Sequence, residues 1–102
     1  MVVRVSTGHF EPSQLAAVER TLEEGGSRLI PAIQKLPGCR HYYAALQREA
    51  NAIINVSVWD SLEHAAQMGS LEEMRREGAL MRSLGVRFEP ILNYETAWTI
   101  TG

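Results

Sequence analysis

This chain of 102 residues is short of cysteine, aspartate and long apolar runs, and each shortage excludes something. Its one cysteine, Cys39, leaves no internal disulfide framework and no all-cysteine zinc site within a single chain. A lone cysteine also favours a reducing, cytoplasmic setting. Asp60 is the only aspartate, so paired-aspartate metal catalysis is excluded within one chain. The apolar runs are a few residues long, too short to span a bilayer. The opening MVVRVSTGHF lacks the apolar stretch of a signal peptide, which again leads us to expect a cytoplasmic protein. Lys and Arg number 10 against 12 Asp and Glu. Such a balance is no basic footprint for nucleic acid or an anionic membrane. There is no glycine-rich phosphate loop, no G-x-S-x-G elbow and no H-E-x-x-H helix.

What remains is an ordinary globular balance, with 45% hydrophobic and 22% charged residues. Without repeats or a linker, residues 1–102 read as one domain. The β-branched run at residues 2–7, VVRVST, predicts a first strand, and Gly8 to Pro12 a turn. Leu15, Val18, Leu22, Gly25, Leu29, Ala32 and Leu36 then recur at helical spacing. Gly25-Gly26 and Pro31 interrupt them, so two helical pieces or one kinked helix are expected, ended by Pro37-Gly38. Residues 39–47 and 52–59 read as two strands around a hairpin loop, Arg48 to Asn51. Asp60 with Glu63, and Ser70 with Glu73, resemble capping boxes opening two further helices. Leu71, Met74, Gly78, Met81 and Gly85 form the stripe of the second, and residues 91–100 read as a last strand.

The order is β-α-β-β-α-β, a ferredoxin-like α+β fold: a four-stranded antiparallel sheet with helices on one face. In the third strand Ile54, Val56 and Val58 share one face, while Asn55, Ser57 and Trp59 share the other. The wholly apolar set needs a cover. With helices on one face of the sheet, a second copy of the sheet is the simplest cover for the other, which predicts a homodimer.

The order of elements, LPGC (Leu36 to Cys39) leading into the second strand, and VSVWDSLEHA (Val56 to Ala65) leading out of the third, resemble the antibiotic biosynthesis monooxygenase family. That family is a branch of the dimeric α+β barrel superfamily. The resemblance implies two protomers joined through their sheets, and a pocket in each between sheet and helices. It also implies cofactor-free oxygenation of an aromatic or enolisable small molecule, with no metal and no organic cofactor. Asn55 and Trp59, spaced N-x-x-x-W, match the members that oxidise aromatics, in which both residues line the pocket. Haem-degrading members carry a histidine where this chain has Met68 and Gly69, and an asparagine where it has Ser6, Thr7 and Gly8. The resemblance therefore points away from haem. A tyrosine that some aromatic oxidisers carry is replaced by Ala65 and Ala66.

The candidate catalytic residues are then Asn55, as donor to a developing oxyanion, Trp59, as ring-stacking wall and N–H donor, and His41, as general base. Ser57, Tyr43 and Met68 are the candidate substrate-binding residues. By strand parity Cys39, His41 and Tyr43 share one face of the second strand and Tyr42 takes the other. The structural alternative ties Asn55 to the backbone and makes Trp59 plain core. The protein would then be a non-enzymatic ligand-binding or structural homodimer. His64 is expected to point to solvent, and Glu72, Glu73, Arg75, Arg76 and Glu77 to form a solvated helix face.

Overall fold

The computed structural model describes residues 1–101. Strand β1 (Val2–His9) is followed by a short 3₁₀ turn and helix α1 (Leu15–Gln34). Strands β2 (Cys39–Gln47) and β3 (Ala52–Trp59) form the hairpin. Helix α2 (Leu62–Ala66), a second 3₁₀ turn and helix α3 (Glu72–Ser83) lead to two short strands, β4 (Arg87–Phe88) and β5 (Leu92–Glu95). The sheet order is β2-β3-β1-β4, β5 also pairs with β1, and every pairing is antiparallel.

The expected last strand, residues 91–100, appears as β5, and the unexpected β4 precedes it on the same edge. Pro90 has no N–H for the ladder and separates them. β4 pairs with Gly8 and His9, which extends β1 through the expected turn, and β5 pairs with Val2 to Val5. The ladder ends at Glu95, short of the expected residue 100. Helix α1 runs unbroken through Pro31, because Leu29 and Ile33 on either side of it pack into the core. Ser61, not Asp60, caps α2: its Oγ accepts the His64 backbone N–H at 3.1 Å, while Asp60 pairs with Arg40. Leu71 precedes α3 without any side-chain cap. Gly85, at φ +88°, takes the left-handed position just past that helix.

The register sorts the side chains. Val3 faces Val58 and Val5 faces Val56 across the β1–β3 pair, with His41 and Tyr43 beyond them on β2. This face carries no helix. On the other face Ser57 lies between Arg4 and Tyr42, and Asn55 between Ser6 and Ala44. Helices α1 and α3 cover that side.

The core beneath the helices is divided. At one end Phe10, Val18, Ile53, Met81 and Val86 pack together; at the other, Ile33, Trp59, Ala65 and Met68. Every layer changes character at the level between them. On β3 the helix-facing series runs Ile53, Asn55, Ser57, Trp59, polar in its middle. On α1, Gly25-Gly26 falls between Leu22 and Leu29, and on α3, Glu77-Gly78 falls between Met74 and Met81. Polar groups from the sheet therefore meet small residues from the helices.

Candidate active-site cleft

That level is where a cleft of about 860 Å³ opens between sheet and helices. Its sheet side presents Arg4 and Ser6 from β1, Tyr42 from β2 and Asn55 from β3. Its helix side presents apolar groups such as Leu29 and Met68, and the charged groups Glu72, Arg75, Arg76, Glu77 and Arg82 of α3. The opening is of the size that takes a small organic ligand.

Asn55 is half-buried on the cleft wall. None of the side-chain hydrogen bonds among the described residues involves its amide. Met68 borders the cleft from the turn after α2, with only 1% of its surface exposed. Trp59 and Ser57 stand apart from the ligand space, at 0% and 1% exposure. The Trp59 indole N–H donates to Ser57 Oγ at 2.8 Å, so each satisfies the other inside the core.

His41 and Tyr43 are not in the cleft. They project from the uncovered face, their rings stacked with centroids 6.3 Å apart, and Tyr43 is 59% exposed. The parity that grouped Cys39 with them is broken by a bulge at Arg40. Cys39 is opposite Trp59, yet His41 is already opposite Val58, so two steps on β2 match one on β3. One extra residue exchanges the faces of everything on the far side of it. Cys39 consequently packs with Trp59. Tyr42 and Tyr43 take opposite faces as expected, and the one in the cleft is Tyr42. His64 is also held more closely than its helical position implied. Its Nδ1 lies 2.8 Å from Ser61 Oγ, and its ring covers Gly38, leaving no room there for a Cβ.

Among the cleft residues that escaped the sequence reading are Arg4, Tyr42 and Glu77. Burial pulls the Arg4 guanidinium below its ordinary value, with Tyr42 acting in the other direction. Arg4 enters none of the ion pairs among the described residues. The Tyr42 phenol is pushed up to about 12, chiefly by burial; Arg4 opposes this and Glu77 adds to it. Glu77 is 7% exposed, and burial raises its carboxyl pKa against the pull of Arg28. Arg28 Nη2 lies 3.5 Å from Oε1, an ion-pair distance, yet neither carboxylate oxygen has a hydrogen-bond partner among the described residues. Glu77 stands three residues after Met74 and four before Met81, which is the buried stripe itself. That spacing was the available signal. Arg4 carried one too, as a cation between Val3 and Val5.

Among the described residues no three His, Cys, Asp or Glu side chains gather closely enough to hold a metal ion. No helix among them is long and apolar enough to cross a membrane.

No protein-family model and no curated protein sequence matches the chain. Solved structures do. A Deinococcus radiodurans protein provisionally called an antibiotic biosynthesis monooxygenase superposes with a TM-score of 0.76 at 18% identity, covering 99% of this chain and 97% of that one. SnoaB, a cofactor-independent oxygenase from Streptomyces nogalater, superposes at 0.68 with 16% identity, covering 99% and 97%. A Mycobacterium tuberculosis protein superposes at 0.70 with 12% identity, covering 99% and 100%. Over its whole length, this chain has the ferredoxin-like α+β fold of the antibiotic biosynthesis monooxygenase structures.

Proposed function

We propose that the protein is a member of the antibiotic biosynthesis monooxygenase family. On this reading it is a cytoplasmic, homodimeric oxygenase that oxidises an aromatic or enolisable small molecule with dioxygen, using neither a metal nor an organic cofactor. One observation carries the reading: the unpaired Asn55 amide, beside Arg4 and Tyr42, on the wall of an otherwise largely apolar cleft. The whole-chain likeness to SnoaB agrees with it.

The chemistry asks for little else. An electron-rich enolate or phenolate can itself reduce dioxygen, so the protein needs to bind a planar ring, hold its oxygen and limit water. Apolar walls such as Leu29 and Met68 suit the ring. The Asn55 N–H is the donor for the substrate oxygen, and the Arg4 charge favours its ionised form. A methylene is converted to a carbonyl as one molecule of dioxygen is consumed and one of water is released. Trp59, locked to Ser57, backs the wall from within.

The dimer is part of the proposal. Val3, Val5, Val56 and Val58 lie on a sheet face without helices, flanked by Tyr43, Leu92 and Tyr94, each at least half exposed. Trp98 and Ile100, after the last strand, are 77% and 83% exposed. A second copy packed on this face would bury the apolar set.

Anthrone, a tricyclic ketone with an acidic methylene, is a suitable probe. Oxygen uptake in the presence of a chelator should depend on the protein. Asn55→Ala should lower the turnover by roughly a hundredfold, the usual loss when one oxyanion donor is removed. Undiminished turnover in that variant would remove Asn55 from the mechanism. The closed Trp59–Ser57 pair favours a second reading, a dimer that binds such a ligand without turning it over. It predicts quenching of tryptophan fluorescence by anthrone with no oxygen uptake.

A further inference from the structure

Cofactor-free oxygenation begins with loss of a proton from the substrate, and His41 faces away from the cleft. Glu72, Glu77 and Glu89 line the cleft, and of these only Glu77 is buried. Glu77 projects from the middle of α3, where a helix facing a core would carry an apolar residue. Burying a carboxylate without hydrogen bonds is costly. Two features accommodate it. Gly25 leaves a gap in α1 that any side chain there would fill, since a Cβ at that position would overlap Glu77 Oε2. A glycine within a helix is itself unfavourable relative to alanine. Arg28, three residues along α1, supplies a cation at 3.5 Å but is 57% exposed and makes no hydrogen bond to the carboxylate. Both oxygens are unpartnered and enclosed, Oε2 against Gly25, on a residue that borders the cleft.

Glu77 and the donors occupy opposite walls. Asn55, Arg4 and Tyr42 belong to the sheet, and Glu77 to the helix layer. In an enolisable ring ketone such as anthrone, the carbonyl oxygen and the acidic methylene are on opposite edges of the central ring. A ring spanning the cleft would therefore give its oxygen to the sheet and its methylene to the helix side.

We infer that Glu77 is the catalytic base, accepting the substrate's acidic proton while Arg4, Tyr42 and Asn55 hold the oxygen on which the charge develops. The substrate C–H bond breaks and an O–H bond forms on the Glu77 carboxylate. The electron pair stays on the substrate and spreads onto its oxygen. The inference rests on the oxygenase reading for its class of substrate. Arg28 on α1 lies against Glu77 and Tyr42 on β2 is within reach of its charge, while Arg4 on β1 and Arg75, Arg76 and Arg82 on α3 share the cleft lining. On α3 itself Glu73 lies one turn earlier, and Arg76 is paired with Glu72. Raising a carboxyl toward neutrality matches a base to its task, and burial moves Glu77 in that direction.

The deprotonation can be separated from oxygenation. Without oxygen, a base in the cleft exchanges the methylene hydrogens of anthrone with deuterium from solvent, read by mass spectrometry. Wild-type protein should catalyse the exchange, with a rate that falls at low pH as Glu77 takes up a proton. Glu77→Gln preserves shape, and a cooperative thermal melt establishes its fold. It should lose the exchange by about a hundredfold or more, the usual share of a general base. Arg28→Met should retain exchange with its acid limb moved to higher pH, because the cation that favours the ionised carboxylate is gone. A role confined to tying α1 to α3 would not produce that shift. Exchange by Glu77→Gln at the wild-type rate would overturn the inference. So would wild-type protein that consumes oxygen with anthrone but exchanges no hydrogen. Exchange without aerobic oxygen uptake would support Glu77 as the base and count against the oxygenase reading instead.

Discussion

The Glu77 carboxylate fills the space that a side chain at Gly25 would occupy. The two residues sit in different helices and are 52 positions apart, yet neither identity makes sense alone. A mid-helix glycine lowers the stability of α1, and a buried carboxylate lowers that of the core. Together they seat a buried carboxylate at the border of the cleft. Gly25→Ala should improve helix propensity by ~1 kcal/mol but force the carboxylate out of place. In a Glu77→Ala background the obstacle is gone, and the same change should stabilise the protein by about the full helix-propensity gain. A double-mutant cycle by denaturant unfolding measures this coupling. Independent, additive effects would show that the two residues do not share the space.

The direction of the Glu77 shift makes a second prediction. Its folded-state carboxyl binds its proton more tightly than the ordinary value of 4.5. The unfolded chain therefore releases that proton at lower pH than the folded one. Stability from this residue is full below pH 4.5 and declines as pH rises through the folded value. Glu77→Gln should gain on wild type in melting temperature as pH rises from acid toward neutral, with little difference at the acid end. A constant gap across that range would contradict burial as the cause.

Tyr42 offers a spectroscopic check on the cleft. Its phenol should ionise near pH 12 in the folded protein, well above the ordinary value of 10.0, since burial disfavours the phenolate. Ultraviolet titration should show a late limb that Tyr42→Phe abolishes. Because the folded pKa is raised, the stability tied to the neutral phenol is full below pH 10 and is lost as pH climbs toward 12. A ligand phenolate held by Arg4 should push the Tyr42 limb still higher.

The uncovered sheet face makes the prediction about assembly. Val56 lies at its centre, between Val5 and Tyr43. Val56→Glu should convert a dimer into a monomer in light scattering after size exclusion, because a buried unpaired carboxylate is costly. A dimer of unchanged affinity would place the contact on another surface.

Much of this architecture was legible in the sequence, and the failures have physical causes. The alternation of Ile54, Val56 and Val58 against Asn55, Ser57 and Trp59 sorts the two faces of β3 without any structure. The same counting misassigns Cys39, because a bulge has no reliable signature in residue type and Arg40 shifts the register by one. The reading of residues 91–100 as the last strand missed β4, because the two residues Arg87 and Phe88 before Pro90 are too few to show an alternating pattern. Ser61 and Asp60 are both good cap residues, and the ion pair to Arg40 engages the aspartate. Glu77 was obscured by the company of Glu72, Glu73, Arg75 and Arg76: a run of charge reads as a solvated face unless the stripe through Met74 and Met81 is followed across it. Trp59 was expected as a donor to a ligand, and its N–H is directed to Ser57.

The central claim is that this cleft transfers oxygen from dioxygen to a small enolisable molecule with protein side chains alone. The most direct measurement is mass spectrometry of the product formed from anthrone by metal-stripped protein under isotopically heavy dioxygen. The account predicts one heavy oxygen atom in the new carbonyl, formed at a rate proportional to protein and reduced about a hundredfold in Asn55→Ala. Product no greater than in a protein-free control, or a carbonyl oxygen drawn from water, would contradict it.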